Sequence, residues 1–175
     1  MLFSQAIPSD LNLGIVNEKA AAVEIEIAGH DYTIQQSPAI LNSVRPAGTT
    51  GAVVWKVSPL IAAWLASQPS LLWDHGILHA EAHVVELGCG ISPLIGLTVS
   101  SDIASYILTD QKYVLKVMEH NLEANRAFLP QQKSGRPKAR PLRSATTAQP
   151  QKLRFMSLDW EQDSAQNLLS LTNGT

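Results

Sequence analysis

The sequence predicts an α/β domain built on a parallel sheet. Three short strand-like segments, residues 84–87, 105–110 and 152–158, are separated by helical patterns. Strands alternating with helices pair in parallel through right-handed crossovers. The first of these strands, in "VVELGCGISPLIGL" (84–97), runs through two close glycines into a helix start. Open α/β sheets present backbone to a ligand at such carboxyl strand ends. A chain of 175 residues with 45% hydrophobic and 16% charged content fits one core domain.

The elements follow in chain order. Residues 22–36, "AVEIEIAGHDYTIQQ", alternate with Val23, Ile25, Ile27, Tyr32 and Ile34 around "AGHD", which predicts an N-terminal β-hairpin. Residues 37–52 read as a loop, with Pro38, Pro46, Gly48 and Gly51 as breakers. Ser58 and Pro59 then form a helix start, a capping hydroxyl followed by a proline whose missing N–H would be unpaired there. Leu60, Ile61, Trp64 and Leu65 fall on one apolar face of that helix, and Pro69 limits it. Ser92 and Pro93 repeat the start signal for a helix through Leu94, Ile95, Leu97 and Thr98. Residues 111–125 form an amphipathic helix with Val114, Leu115, Val117, Met118 and Leu122 inward and His120 and Asn121 on the surface. A further helix is expected over 164–171.

Composition narrows the function classes. No apolar run approaches the ~18 residues of a membrane span. The start "MLFSQAIPSD" lacks a basic n-region and an extended apolar core, so no secretory leader is expected. Cys89 is the only cysteine, which rules out an intrachain disulfide and fits a reducing compartment: cytoplasm, with the nucleus as the alternative. The net charge of −2 conceals an asymmetry. Residues 126–143 carry Arg126, Lys133, Arg136, Lys138, Arg140 and Arg143 and no acid, leaving seven basic residues against 15 acidic elsewhere. Such a strip suits nucleic acid or an acidic partner. Its four Pro or Gly residues and three large apolar ones predict a disordered insertion.

The turn at 88–90 carries the functional signal. Glycines there let a ligand approach the backbone, and the following helix start offers free N–H groups. Asp110 ends the next strand, 24 residues after Glu86, where a carboxylate can accept the two hydroxyls of a ribose. A dinucleotide site wants a third glycine, and Pro93 stands at that position. Glu86, opening the turn, is a poor neighbour for a pyrophosphate and a good one for a cationic cofactor. The bland alternative is that the glycines only turn the chain and Asp110 only caps the next helix.

Two other constellations are weaker. His75, His79 and His83 have i, i+4, i+8 spacing, but Gly76 interrupts and no carboxylate or cysteine completes a metal set. Cys89 has no histidine near it in sequence to activate it as a nucleophile.

"GAVVWKVSPLIAAWL", "VVELGCGISPLIGL", "YILTDQKYVLKVMEHNLEAN" and "LDWE" occur here in one order over residues 48–163. In that order they resemble the seven-β-strand protein-lysine methyltransferases, above all a fungal branch acting on ribosomal lysines. The resemblance implies a Rossmann-like class I methyltransferase fold, S-adenosyl-L-methionine (SAM) as cofactor, and a lysine of a large-subunit ribosomal protein as substrate. It also implies a ribosomal setting in which residues 126–143 could meet ribosomal RNA, with no metal and no membrane. By the same resemblance Trp55 lies against the cofactor and Gly88, Cys89 and Gly90 hold its methionine part. Asp110 takes the ribose, and Asp159 and Trp160 sit by the adenine. Taken singly, Trp55 and Trp160 read equally well as core aromatics.

Departures accompany the resemblance. Ser92 replaces a third small turn residue. The family's D-x-x-Y/F motif follows its fourth strand, whereas the one D-x-x-Y here, Asp110 to Tyr113, follows the second. Catalytic residues are therefore not assigned. The chain ends 15 residues after Trp160, so the sheet is expected to lack strands four to seven. The edge of residues 84–87, which the fourth strand normally covers, is then expected to be open. The expected layout is an N-terminal extension with the hairpin (1–47) and a partial methyltransferase domain (48–175), with the disordered insertion at 126–150. A non-catalytic remnant that binds SAM weakly, or an interaction module, is the alternative. Glu86 and Pro93 disfavour a nicotinamide-dependent oxidoreductase.

Overall fold

The computed structural model describes residues 13–45, 48–67, 69–129 and 152–164. The predicted hairpin is present: β1 (Ala22–Ile27) pairs antiparallel with β2 (His30–Gln35), Ile27 opposite His30. Its turn passes through left-handed backbone, with Ala28 at φ 52°, the handedness that matches strand twist. Alternation buries Val23, Ile27, Tyr32 and Ile34.

The second sheet is parallel, with β3 (His83–Leu87), β4 (Ser105–Asp110) and β5 (Leu153–Ser157) in the order β3-β4-β5. Central β4 is buried from Tyr106 to Thr109, as expected of a parallel strand covered on both faces. The register sets Leu87 beside Thr109 and Asp110 beside Ser157. The carboxyl ends of all three strands therefore open on the same edge.

Five helices accompany the sheets among the described residues: α1 (Pro38–Leu41), α2 (Val57–Ala66), α3 (Leu71–Asp74), α4 (Leu94–Val99) and α5 (Leu115–Ala124). The predicted loop over 37–52 is thus partly ordered. Pro38 opens a single helical turn closed by Leu41 N–H to Ser37 O, and Thr50–Ala52 forms a 3₁₀ turn. The proline that reads as a breaker is tolerated in a first turn, because its absent N–H would have no partner there.

Both predicted serine caps are corrected. α2 starts at Val57 with Lys56 as N-cap, and α4 starts after Pro93; neither has a side-chain cap bond. An antiparallel bridge from Ile15 to Trp55, with Lys56 N–H bonded to Gly14 O, sets the entry into α2 instead.

The inward face of α2 also differs from expectation. Ala62 and Leu65 are buried against the rest of the core, while Leu60 (57% exposed), Ile61 (37%) and Trp64 (45%) face outward. "VSPLIAAWLA" is apolar on nearly every side, so periodicity does not select a face. α2 packs on α4 and on β1, with Ala62 and Leu65 buried, and that packing makes the choice.

Val114, in the 3₁₀ turn that leads into α5, and Met118 on α5 are buried as predicted. Asn121, expected on the surface, is fully buried, and Asn125 is nearly so. Their amides bond the outer edge of β2, which removes the desolvation penalty that normally keeps asparagine outside. Residues 126–129 of the basic strip continue from α5 as a 3₁₀ turn, Arg126–Phe128. Phe128 packs on His30 and Tyr32 with ring centroids 5.3 and 4.7 Å apart. The remainder of that strip and the helix expected over 164–171, beyond residue 164, lie outside the described residues.

Candidate cofactor site

A cleft of about 300 Å³ lies at the carboxyl edge of the parallel sheet. Trp55, Gly88, Cys89, Gly90, Asp110 and Trp160 line it, so six of the eight residues singled out in the sequence meet in one place. Its volume is in the range of small-ligand sites.

Backbone bonds shape the turn. The N–H groups of Gly88 and Cys89 both donate to Thr109 O, at 2.9 and 3.1 Å, which ties the end of β3 to the end of β4. Gly90 N–H donates to Asp110 Oδ2 at 2.7 Å, and Gln111 N–H donates to Asp110 Oδ1 at 2.7 Å. Gly88 (φ 75°) and Gly90 (φ 61°) both occupy left-handed backbone, which costs other residues roughly 1–2 kcal/mol. Space is also short. A Cβ on Gly88 would stand 2.9 Å from Trp160 Cη2, and one on Gly90 would stand 2.8 Å from Gly51 O. The glycines thus make a cradle that any side chain would fill.

Gly51, Gln111, Tyr113 and Leu158 are also in the lining and were not assigned to the site from the sequence. Gly51 O accepts the Ile91 N–H at 2.9 Å, and Gly51 N–H donates to the Tyr113 hydroxyl at 3.1 Å. Arg45 stacks on the Tyr113 ring, 4.7 Å from its centroid. The glycine in "GAVVW" was the available signal, but it reads locally as a breaker. Its backbone-to-backbone approach to Gly90 is a tertiary fact.

Glu86 does not line the cleft. Its Oε2 accepts the Tyr106 hydroxyl at 2.9 Å, and its charge is felt by Cys89 in the turn. Burial raises its carboxyl to about 7, the Tyr106 bond opposes that rise, and Asp110 adds to it. Burial also raises the Asp110 carboxyl, against the two backbone N–H bonds that lower it. Asp159 does not line the cleft either. Its Oδ1 accepts the Glu161 N–H at 3.1 Å and its own N–H donates to Asp163 Oδ2 at 2.8 Å, so it caps the turn that carries Trp160.

Among the described residues Asp110 is the single charged one in the lining, and the Glu86 carboxyl is close enough to act on it electrostatically. Such a surface favours a ligand with cationic groups and opposes a pyrophosphate. Ser92, also in the lining, keeps its hydroxyl buried without a hydrogen-bond partner, a group normally satisfied in folded proteins. The glycine cradle, the acid beside it and the exposed indole of Trp160 (61%) fit an adenosyl cofactor with a cationic tail.

The other constellations separate. His75, His79 and His83 are all exposed on different segments, and His83 Nδ1 pairs with Ser105 Oγ at 2.7 Å. Among the described residues no group of His, Cys, Asp and Glu is placed to hold a metal ion. The Cys89 thiol is buried, and burial with Glu86 and Asp110 nearby drives its ionisation far above the usual range, the opposite of an activated nucleophile.

Comparison with known proteins supplies the family. The profile of a family described as "Lysine methyltransferase" matches residues 36–173. A diaminohydroxyphosphoribosylamino-pyrimidine deaminase of Schizosaccharomyces pombe is 32% identical over 127 residues, covering 73% of this chain and 30% of that protein. The ribosomal lysine N-methyltransferase 5 of Zygosaccharomyces rouxii is 35% identical over 108 residues, covering 55% of this chain and 34% of the relative. Its namesake in Eremothecium gossypii is 29% identical over 184 aligned positions, covering 86% of this chain and 58% of the relative. The chain thus spans about a third to just over half the length of these relatives. A zinc deaminase site needs two cysteines in P-C-x-x-C, and this chain has one cysteine in all. With a profile match over most of its length and the glycine cradle in place, this chain belongs to the lysine methyltransferase family.

Proposed function

We propose that this chain carries the SAM-binding part of a protein-lysine N-methyltransferase whose substrate is a ribosomal protein of the large subunit. The observation that carries the cofactor reading is the joint placement of Gly88, Gly90, Asp110 and Trp160 on one cleft whose only charged wall among the described residues is acidic. The ribosomal substrate is supported by the names of the fungal relatives. Residues 48–175 belong to the methyltransferase domain in this reading, and 1–47 form its N-terminal extension. A cytoplasmic location follows from that substrate.

The residues divide the cofactor between them. Gly88, Cys89 and Gly90 admit its methionine part to the backbone, with the nearby Glu86 carboxyl to balance its positive charge. Asp110 retains acceptor capacity on both oxygens for the ribose hydroxyls after its two backbone bonds, since an ionised carboxylate has about four acceptor positions. Trp160, over Gly88, walls the adenine side, and Asp159 holds the turn that presents it. Trp55 stands at the rim, its indole N–H fixed to Thr50 O at 2.9 Å. When bound, SAM supplies an electrophilic methyl group. The contribution of this chain is to hold its ligand in one orientation and exclude water. The accepting lysine amine must be neutral, since a protonated amine has no lone pair, and no residue here is assigned to take its proton.

Calorimetric titration with SAM tests the first half of the reading, and transfer of labelled methyl from SAM to ribosomal fractions tests the second. Saturable binding plus label on a large-subunit protein is expected. Absence of binding sinks the cofactor assignment. Binding without transfer favours a non-catalytic SAM-binding module.

A further inference from the structure

We propose that Asn121 is a positioning residue for the cofactor turn, and that through it the N-terminal hairpin and the cleft behave as one coupled unit. This rests on the reading of the cleft as an adenosyl-cofactor site.

Asn121 sits on α5, fully buried, between two distant segments. Its Oδ1 accepts the Gln35 N–H at 2.8 Å. Its Nδ2 donates to Gln35 O at 3.0 Å and to Ile91 O at 2.7 Å. Both amide donors are therefore spent, one on the hairpin and one on the residue that leaves the glycine turn. The Ile91 N–H is held as well, by Gly51 O at 2.9 Å. Residue 91 is clamped on both sides, and Gly90 before it is braced by Asp110. No other side chain among the described residues is shown bonding both the hairpin and this turn.

Asn125, one helical turn later, provides an internal control. Its Oδ1 accepts the Thr33 N–H at 3.2 Å, and its Nδ2 donates to Thr33 O at 2.9 Å and Asn121 O at 2.8 Å. It pins the same strand edge but bonds nothing in the turn. Two amides four residues apart on a helix rise about 6 Å, and two alternate residues on a strand span about 6.8 Å. The pair thus meets Thr33 and Gln35 in register, and α5 closes the outer edge of β2 as a neighbouring strand would.

The coupling follows from the shared amide. A ligand that orders residues 88–92 restrains Ile91 O, hence the Asn121 side chain, hence the Gln35 peptide. Linkage is reciprocal, so loosening the hairpin at Gln35 must weaken the ligand.

Amide hydrogen exchange on the unmodified full chain, with and without S-adenosylhomocysteine, tests this directly. Exchange at Gln35 is expected to slow at least threefold on binding, together with Gly90 and Ile91. Protection of 88–91 with Gln35 unchanged overturns the coupling while leaving the cofactor reading intact. No binding heat and no protection anywhere overturns both. In variants, Asn121→Ala and Asn125→Ala are both expected to lower the melting temperature. Only Asn121→Ala should raise the dissociation constant for S-adenosylhomocysteine, about tenfold, at a temperature where both are folded. Equal constants in the two variants overturn the positioning role. Should Asn121→Ala not fold, the exchange measurement on the unmodified chain decides.

Discussion

The Asp110 carboxylate accepts the Gly90 N–H at 2.7 Å, so the acid that ends β4 braces the glycine turn that ends β3. The same side chain accepts the Gln111 N–H with its other oxygen. Asp110 therefore shapes the cleft as well as facing into it, and its loss should register in both stability and binding.

Asp110→Ala removes the acceptor of two N–H groups. Hydrogen bonds to charged groups contribute about 1.5–3 kcal/mol each. The expected result is a lower melting temperature and a dissociation constant for SAM raised at least about tenfold. Asp110→Asn, which keeps one carbonyl acceptor, should fall between. Thermal melts and calorimetry on the three chains check the order.

Alanine at the two cradle glycines should separate stability from binding. Both positions lie in left-handed backbone. At Gly90 the new Cβ meets a backbone oxygen, Gly51 O at 2.8 Å, which cannot swing aside. At Gly88 it meets the ring of Trp160, an exposed side chain that can. Gly90→Ala should therefore cost more in folding, by roughly 1–3 kcal/mol as for other sites of local strain. Gly88→Ala should fold closer to normally and lose binding by displacing the indole. Denaturant unfolding beside SAM titration tests the contrast; equal effects on folding would refute it.

Glu86 gives a pH dependence of definite sign. Burial lifts its carboxyl from 4.5 to about 7 in the folded chain. The folded state then holds the proton more tightly than the unfolded state. The stability from this group is full below about pH 4.5 and is lost as pH rises through about 7, amounting to at most about 3 kcal/mol. The raised Asp110 carboxyl acts in the same direction. Melting temperature should fall between pH 5.5 and 8, and Glu86→Gln should flatten that slope. A cationic ligand should show the opposite trend, binding more tightly as Glu86 ionises. A slope unchanged in Glu86→Gln would remove Glu86 as its source.

The faces of α2 make the fourth prediction. Leu65→Ala empties a buried position and should cost about 2–4 kcal/mol. Trp64→Ser, on the outward face, should stay within about 0.5 kcal/mol. Urea midpoints with a common slope measure both. A large loss at Trp64 would show that its face is covered in solution.

How much was legible follows from the range of each signal. Period-two alternation placed the hairpin and β5, and short apolar runs placed β3 and β4, because burial of a strand is written in neighbouring residues. The glycine turn and Asp110 were legible for the same reason: a tight turn and a strand-end acid are local chemistry. Composition and these blocks, read together, determined the α/β class, the parallel sheet and the family likeness.

The tertiary structure alone decided the rest. It chose which side of an almost uniformly apolar α2 faces inward. It drew Gly51 to Gly90 and to Tyr113, which is 62 positions from Gly51. It buried Asn125 against Thr33, 92 positions away, and Asn121 against Gln35 and Ile91. It turned Asp159 onto its own turn and bonded Glu86 to Tyr106 instead of placing it in the cleft wall. Each outcome depends on a partner distant in sequence. A polar side chain is buried only where such a partner meets its hydrogen bonds, and no local pattern announces where that partner will stand.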